Sequence, residues 1–466
     1  MTRGRTLRGR SRERAATSRP VARPLLTGED QGDPILVDAG TVGAAGDRWI
    51  EPFLRANESH LRRLDLKHDV DARDGLRIRL FPGPKIGAIP LLSPSTRRVV
   101  AGLLVRPRFR WTALGEVFEA IGFGVEPALG GAPLVPGSAR EVPPWMIAGS
   151  VLGRLEQLLR HRKRVFVERC EERASPRGRV EWSEWASRQL VRGAWHRLPC
   201  SFSEPDDDPE LFAGVRWTLA RLADSLAPQS FDHVAHSLLQ RIALLLNRVG
   251  PGVSRRPKWG PLIKESAWVL EAKEAMGWVA EQRGLGGSRS LDGICWDLSV
   301  DQVWEAWVDS FASLLAPRLG LTHVSRGATS QPLNWHSGRR SMRSLVPDVV
   351  LRGGQRIVWI DAKYKAHLEL IGSRGWDGLS EEVRASHRSD LHQALAYAAL
   401  ADVEQVDTVL AYPHLAADGA VRHAPVATIA SGRRRVRLIL AGVPFGFHSP
   451  DRQEAELSLW RHLLAA

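Results

Sequence analysis

Apolar positions along this chain change period several times, and each change predicts a different kind of element. From about residue 31 to 140 they fall in short runs cut by Gly and Pro, which predicts a β-rich region. Gly75-Leu76-Arg77-Ile78-Arg79-Leu80 alternates apolar and basic residues as a half-buried strand does, and Pro84-Lys85-Ile86-Gly87-Ala88-Ile89-Pro90 follows as a turn-rich connection. Residues 1 to about 30 carry no such period and read as a disordered tail. Helical spacing begins near Pro143-Pro144-Trp145, with Leu152, Leu155, Leu158 and Leu159 at helical intervals. Arg160-His161-Arg162-Lys163-Arg164 closes that helix, where cations meet the negative end of its dipole. A second helix starts at Asp208-Pro209-Glu210: Asp208 suits the N-cap, Pro209 the first helical position, and Leu211, Val215, Leu219 and Leu222 form its apolar stripe. Capping and solvation explain Asp206, Asp207 and Asp208 better than a metal cluster does.

A length of 466 residues predicts two or three domains. The expected division is a tail at 1–30, a β-rich and partner-binding domain at 31–140, a mixed α/β domain at 141–285, and a last domain at 286–466 after Gly284-Leu285-Gly286-Gly287. No run approaches the ~18 consecutive apolar residues of a membrane span, and the N-terminus has no signal-peptide core. Cys170, Cys200 and Cys295 are far apart and odd in number, which disfavours a zinc ribbon or disulfide framework and fits a reducing cytoplasm. Net charge is +13, but residues 1–25 hold eight arginines against Glu13 alone, so the remaining chain is only mildly basic. That balance suits a polyanionic partner; the Arg-rich start itself reads as a tail or a start site placed too far upstream. Arg255, Arg256, Lys258, Trp259 and Lys264 interleave cations with an aromatic, which suits a phosphate-contacting loop and an interdomain linker equally.

The chemistry is concentrated between about 301 and 413. A helix from Asp301 places Trp304, Val308, Phe311 and Leu315 on one apolar face, with Glu305 on its flank, where a solvated acid is the simpler reading. Ser344 to Leu351 reads as a strand interrupted by Pro347-Asp348, and Arg352-Gly353-Gly354-Gln355 as a turn. Arg356-Ile357-Val358-Trp359-Ile360-Asp361-Ala362-Lys363-Tyr364-Lys365 is a second strand that begins apolar and ends charged. Paired as a hairpin, they bring Asp348 and Asp361 to one end of a sheet. Alternation then projects Asp361 and Lys363 to one face and Ala362 to the other. Two carboxylates beside a backbone carbonyl, that of Ala362, make the hard oxygen site that magnesium prefers, and Lys363 can orient a water or stabilise charge on a phosphoryl oxygen. A helix at roughly Ser389–Val403 carries Gln393 and Tyr397 on one face and leads into the strand Thr408–Tyr412. Between Lys365 and that helix, Gly372, Ser373, Gly375 and Gly378 read as a mobile loop. The expected fold of this last domain is α/β, restriction-endonuclease-like of the PD-(D/E)xK type.

The strings Trp304-Glu305, Val346-Pro347-Asp348-Val349-Val350, Ile360-Asp361-Ala362-Lys363-Tyr364-Lys365 and Gln393-Ala394-Leu395-Ala396-Tyr397 resemble those of the McrC family, the nuclease subunits of McrBC-type modification-dependent restriction systems. Pro84-Lys85-Ile86, Gly178-Arg179-Val180, Leu198-Pro199-Cys200-Ser201-Phe202 and the helix at Asp208 resemble that family's upstream regions. The resemblance spans most of residues 70–415 and leaves out the Arg-rich start and the last fifty residues. It implies that Glu305, Asp348 and Asp361 are acidic metal ligands, Lys363 the catalytic lysine, Gln393 a supporting polar residue and Tyr397 a packing residue. It also implies Mg2+ as cofactor, with Mn2+ as substitute, DNA as substrate and an AAA+ NTPase (McrB-like) as activating partner. This chain has no GxxxxGK[ST] sequence, so the NTPase is expected in a separate chain. The competing expectations are a stand-alone nuclease of the same fold acting in DNA repair or on RNA, and a catalytically inactive DNA-holding adaptor, which an intact Asp348, Asp361 and Lys363 disfavours.

Overall fold

Two mixed sheets carry the chain, and the strand ends of one meet a corner of the other. The structure, a computed structural model, describes residues 23–44, 46, 48–72, 75–130, 133–138, 141–161, 164–229, 233–259, 265–281, 292–324, 330–332, 344–414, 425–431 and 434–465. In chain order the N-terminal region comprises β1 (Leu25–Glu29), β2 (Ile35–Asp38), α1 (Ile50–Arg63), β3 (Lys67–Asp71), β4 (Arg77–Phe81), β5 (Lys85–Leu92), β6 (Val99–Arg106), α2 (Arg110–Ala120) and β7 (Ala128–Leu129). A helical region follows: α3 (Pro144–Arg160), then β8 (Arg164–Arg173), β9 (Arg179–Val180), the short α4 (Trp182–Glu184) and β10 (Leu198–Asp207), then α5 (Pro209–Leu226), α6 (His233–Val249) and α7 (Ala267–Ala280). The last part holds β11 (Trp296–Ser299), α8 (Val300–Leu315), β12 (Thr322–Val324), β13 (Gln331–Pro332), β14 (Ser344–Leu345), β15 (Val349–Gly353), β16 (Arg356–Ala362), α9 (His367–Arg374), α10 (Glu381–Ala399), β17 (Gln405–His414), β18 (Val426–Ser431), β19 (Arg434–Pro444) and α11 (Pro450–Ala465).

The first large sheet runs β1-β6-β5-β11-β7, so it takes a strand from beyond the helical region. β1 is a correction to the tail expected at 1–30: Leu25–Glu29 pair in parallel with Gly102–Arg106. The Arg-rich residues 1–22 lie outside the described residues, as do Lys264 and the glycines of 284–287. α1 and α2 also lie within the stretch expected to be β-rich, each burying one face on the sheets. α3 and α5 start where their prolines predict, and Asp208 caps α5 by accepting from the backbone N–H of Glu210 and of Leu211.

The second sheet runs β12-β15-β16-β17-β19-β18, with β16, β17 and β19 parallel. Both of its faces are buried. Val349, Leu351, Val358, Ile360, Val409 and Ala411 face a core shared with Trp304, Val308, Phe311 and Leu315 of α8. The alternate residues Val350, Ile357, Trp359 and Val406 pack with Tyr397 and Ala398 of α10. Helix, two antiparallel strands, helix and a parallel strand therefore occur in the expected order, because apolar alternation on two faces demands a helix on each. Two local expectations fail. α10 begins at Glu381, not near Ser389, capped by the Ser380 hydroxyl; its first turns are polar and solvated, so no apolar stripe marks them. The stretch expected as a loop contains α9.

The final helix packs beside α8 in the core on that face of the sheet. Trp460 is 1% exposed and meets Phe311 edge-on with ring centroids 5.2 Å apart. Trp460→Ala is expected to cost about 3–5 kcal/mol by leaving a cavity of aromatic size, measured as a lowered denaturant midpoint. A cost below about 0.5 kcal/mol, the usual limit for surface changes, would place this helix outside the core.

Candidate active site

The hairpin register assembles the site. β15 and β16 pair Val349 with Ile360 at the open end and Gly353 with Arg356 at the turn, where Gly354 takes φ +54°. One residue past Val349, Asp348 Oδ2 accepts the backbone N–H of Ala362 at 2.8 Å. Asp348 and Asp361 share the parity of Val350 and Trp359, so both belong to the α10 face, whereas Ala362 packs in the core under α8. Lys363 extends the ladder by donating its N–H to the Ala411 carbonyl at 2.8 Å, and its Nζ lies 2.8 Å from Asp361 Oδ2. The same ammonium donates to Gln393 Oε1 at 2.9 Å, and Gln393 Nε2 donates to the Tyr397 hydroxyl at 2.7 Å. Tyr397 stacks near Trp359 and donates to the Val346 carbonyl at 3.3 Å, fixing the strand that precedes Asp348.

The sequence-derived residues thus converge: Asp348, Asp361, Ala362, Lys363 and Gln393 share one strand end. Glu305 comes from α8 on the other side of the sheet, half-buried, and its charge contributes to raising both Asp348 and Asp301. Asp348 is pushed up to about 7, first by burial and then by the carboxylate of Asp361, which stands within hydrogen-bonding reach. Asp301 is pushed up to about 6 by burial, then by Glu305, Asp30 and Asp65. Asp361 is 2% exposed, and its Oδ2 is ion-paired with the Lys363 ammonium. A mutually repelling carboxylate pair, Asp361 buried and Asp348 half-buried, matches the donor set of a small divalent cation. Asp348 and Asp361 would hold it, with Glu305 and the Ala362 carbonyl completing an all-oxygen set.

Sequence reasoning missed the groups that support this site. Lys365 shares the parity of Asp361 and Lys363, and its ammonium donates to both oxygens of Asp390, at 2.7 and 2.9 Å, and to Ser386 Oγ at 3.0 Å. Asp390 lies three residues before Gln393 on α10, a spacing that could have flagged it. His367 and His387 gather beside Asp390 in a group of metal-binding type, yet Lys365 already supplies Asp390 with a cation. Burial, then the charge of His367, lowers His387, whose Nδ1 stands 3.2 Å from the Tyr412 hydroxyl. Asp30 and Gln31, from the N-terminal region, reach Tyr364; no local pattern announces a contact across more than three hundred residues.

No protein-family model matches the sequence, and no curated protein does. Among solved structures, the chain is similar to a refined half-complex from a tetradecameric assembly of Thermococcus gammatolerans McrB AAA+ hexamers with bound McrC. That likeness covers 94% of this chain and 100% of the other at 14% identity and a TM-score of 0.43. A cryo-EM structure of the Thermococcus gammatolerans McrBC complex is similar over 63% of this chain and 87% of that chain, at 12% identity and a TM-score of 0.24. At these scores neither likeness carries weight in assigning a function.

The carboxylate pair has a consequence for stability. Asp348 ionises in the folded chain near pH 7 against an ordinary value of 3.8, so the folded state holds the extra proton. In a chelator, stability contributed at this site is therefore highest at acidic pH and falls as pH rises through that window. Asp348→Asn is expected to flatten this decline and to melt a few degrees above the unsubstituted protein at alkaline pH, read by thermal denaturation with EDTA present. Equal melting temperatures across the pH series would mean that the two carboxylates do not strain each other.

Proposed function

We propose that this chain is a magnesium-dependent endodeoxyribonuclease of the PD-(D/E)xK kind, the nuclease subunit of a McrBC-like restriction system that works with an AAA+ NTPase in a separate chain. One observation carries the reading: a buried carboxylate, Asp361, a half-buried one, Asp348, and the ammonium of Lys363 share one face at the end of a buried strand. Magnesium, or manganese in its place, would supply Lewis-acid polarisation of the scissile phosphate and of a bound water.

The protein groups divide the remaining work. Asp348 and Asp361 hold the cation, and the Ala362 N–H fixes the rotamer of Asp348 by donating to one of its oxygens. Lys363 stands beside Asp361 with Gln393 holding its ammonium from α10, so its charge is aimed where a phosphoryl oxygen would become more negative. Glu305 adds negative charge from α8, which would favour a bound cation and which raises Asp348 in its absence. A net charge of +13 supplies long-range attraction for a polyanion that the acidic site alone would repel. The NTPase partner rests on the sequence resemblance and on the missing P-loop.

Plasmid cleavage in magnesium, with a McrB-like AAA+ protein and its nucleotide, tests the reading. Asp361→Ala and Lys363→Ala are each expected to lose about a hundredfold or more in rate, the usual scale for removing a group that stabilises the transition state. Lys363→Ala should still bind Mn2+ in calorimetry, because it removes no ligand. Cleavage by Lys363→Ala at the unsubstituted rate would refute the assigned chemistry.

A further inference from the structure

The chain leaves the sheet at the catalytic position. Lys363 N–H makes the last ladder bond, to Ala411, and Lys365 N–H then turns back onto the Lys363 carbonyl at 2.8 Å. Tyr364 is the apex of this tight turn, so no strand neighbour holds it. Its holders come from the far end of the chain. Asp30 Oδ2 accepts the Tyr364 hydroxyl at 2.6 Å, and Gln31 Nε2 donates to the Tyr364 carbonyl at 2.7 Å. Two consecutive side chains therefore grip one residue at both its ends.

The gripping corner is itself fixed. Asp30 N–H bonds to the Arg106 carbonyl at 3.0 Å, Gln31 N–H to the Gly83 carbonyl at 3.2 Å, and Asp30 Oδ1 accepts the Arg108 N–H at 2.7 Å. Gln31 sits at φ +53°, a left-handed conformation that a residue with a side chain seldom adopts. Such strain persists only where surrounding bonds overdetermine it, and here it lets both neighbours aim at Tyr364. Asp30 is fully buried and Tyr364 is 4% exposed. The Arg108 guanidinium lies 4.7 Å from the centroids of both Tyr364 and Phe109, covering the phenol. Phe445 stacks on Phe109 at 4.7 Å and on Trp304 at 5.9 Å, closing the seam between the two sheets.

We propose that Asp30 and Gln31 are positioning residues for Lys363: by holding Tyr364 at its hydroxyl and its carbonyl, they let the N-terminal sheet set where the catalytic ammonium stands. This rests on the nuclease reading for its role in catalysis, and on geometry alone for the position of Lys363. A shift at β1 or at the Asp30–Gln31 corner reaches the lysine through one covalent neighbour, which gives a partner bound to the N-terminal region a direct mechanical path to the site.

Tyr364→Phe and Gln31→Met each remove one grip while keeping the packing volume. In the full-length protein with its NTPase and magnesium, each is expected to lower kcat about tenfold or more, as small misplacements of a reacting group do, with KM for DNA unchanged. A second readout needs neither partner nor DNA: the acylation rate of each lysine amine across a pH series, resolved by mass spectrometry. Lys363 labelling is expected to rise severalfold in both variants, while Lys85, held by the Arg63 carbonyl and Asp297, stays constant. Unsubstituted kcat in both variants, or unchanged Lys363 labelling, overturns the proposal. If the unsubstituted protein does not cut at all, the nuclease reading fails and the labelling alone decides the positioning role. Should Tyr364→Phe fail to fold, Gln31→Met, which removes the hydrogen bond to the Tyr364 carbonyl, decides it.

Discussion

A hydrogen bond from the Ala362 backbone N–H to the Asp348 carboxylate, at Oδ2, marks the register on which the site depends. In an antiparallel hairpin a slip of one residue sends every side chain to the opposite face. Were Asp361 to move by one, it would enter the apolar core under α8, where Val358 and Ile360 now sit, and Ala362 would take its place beside Asp348. The long apolar runs of β15 and β16 resist such a slip, since each face of the sheet has its own helix and its own set of residues. The site's cost in electrostatic repulsion is therefore borne by a hairpin that hydrophobic burial holds rigidly in place.

That division of labour explains what could be read in advance. Alternation in Val349–Gly353 and Arg356–Ala362, the spacing of Trp304, Val308, Phe311 and Leu315, and the Gln393–Tyr397 pair are all local, and each survives into the structure. What stayed hidden is long-range. β11 joins the N-terminal sheet by pairing with β5 after an intervening helical region, and β1 lies parallel to β6; neither pairing leaves a periodic trace. The opening turns of α10 look like loop because they are solvated and carry no apolar stripe; the Ser380 cap and the acids of the first turn support them instead.

The same distinction runs through the functional residues. Asp348, Asp361 and Lys363 announce themselves by type and spacing, because they lie on adjacent parts of one hairpin. Asp30 and Gln31 act on Tyr364 from another sheet, so only the folded chain reveals them. Lys365 falls between these cases: its parity was visible, its carboxylate partner Asp390 was not. The candidate residues Asp348, Asp361 and Lys363 are thus held by one hairpin, whereas the groups that contact their neighbours come from other parts of the molecule.

The central claim is that Asp348 and Asp361 together bind a divalent cation beside Lys363. Anomalous diffraction from crystals grown in Mn2+ tests it most directly. The account predicts a single strong peak, or a close pair, within coordination distance of carboxylate oxygens from both residues. A peak absent from that position, or one between His367, His387 and Asp390 instead, would contradict it.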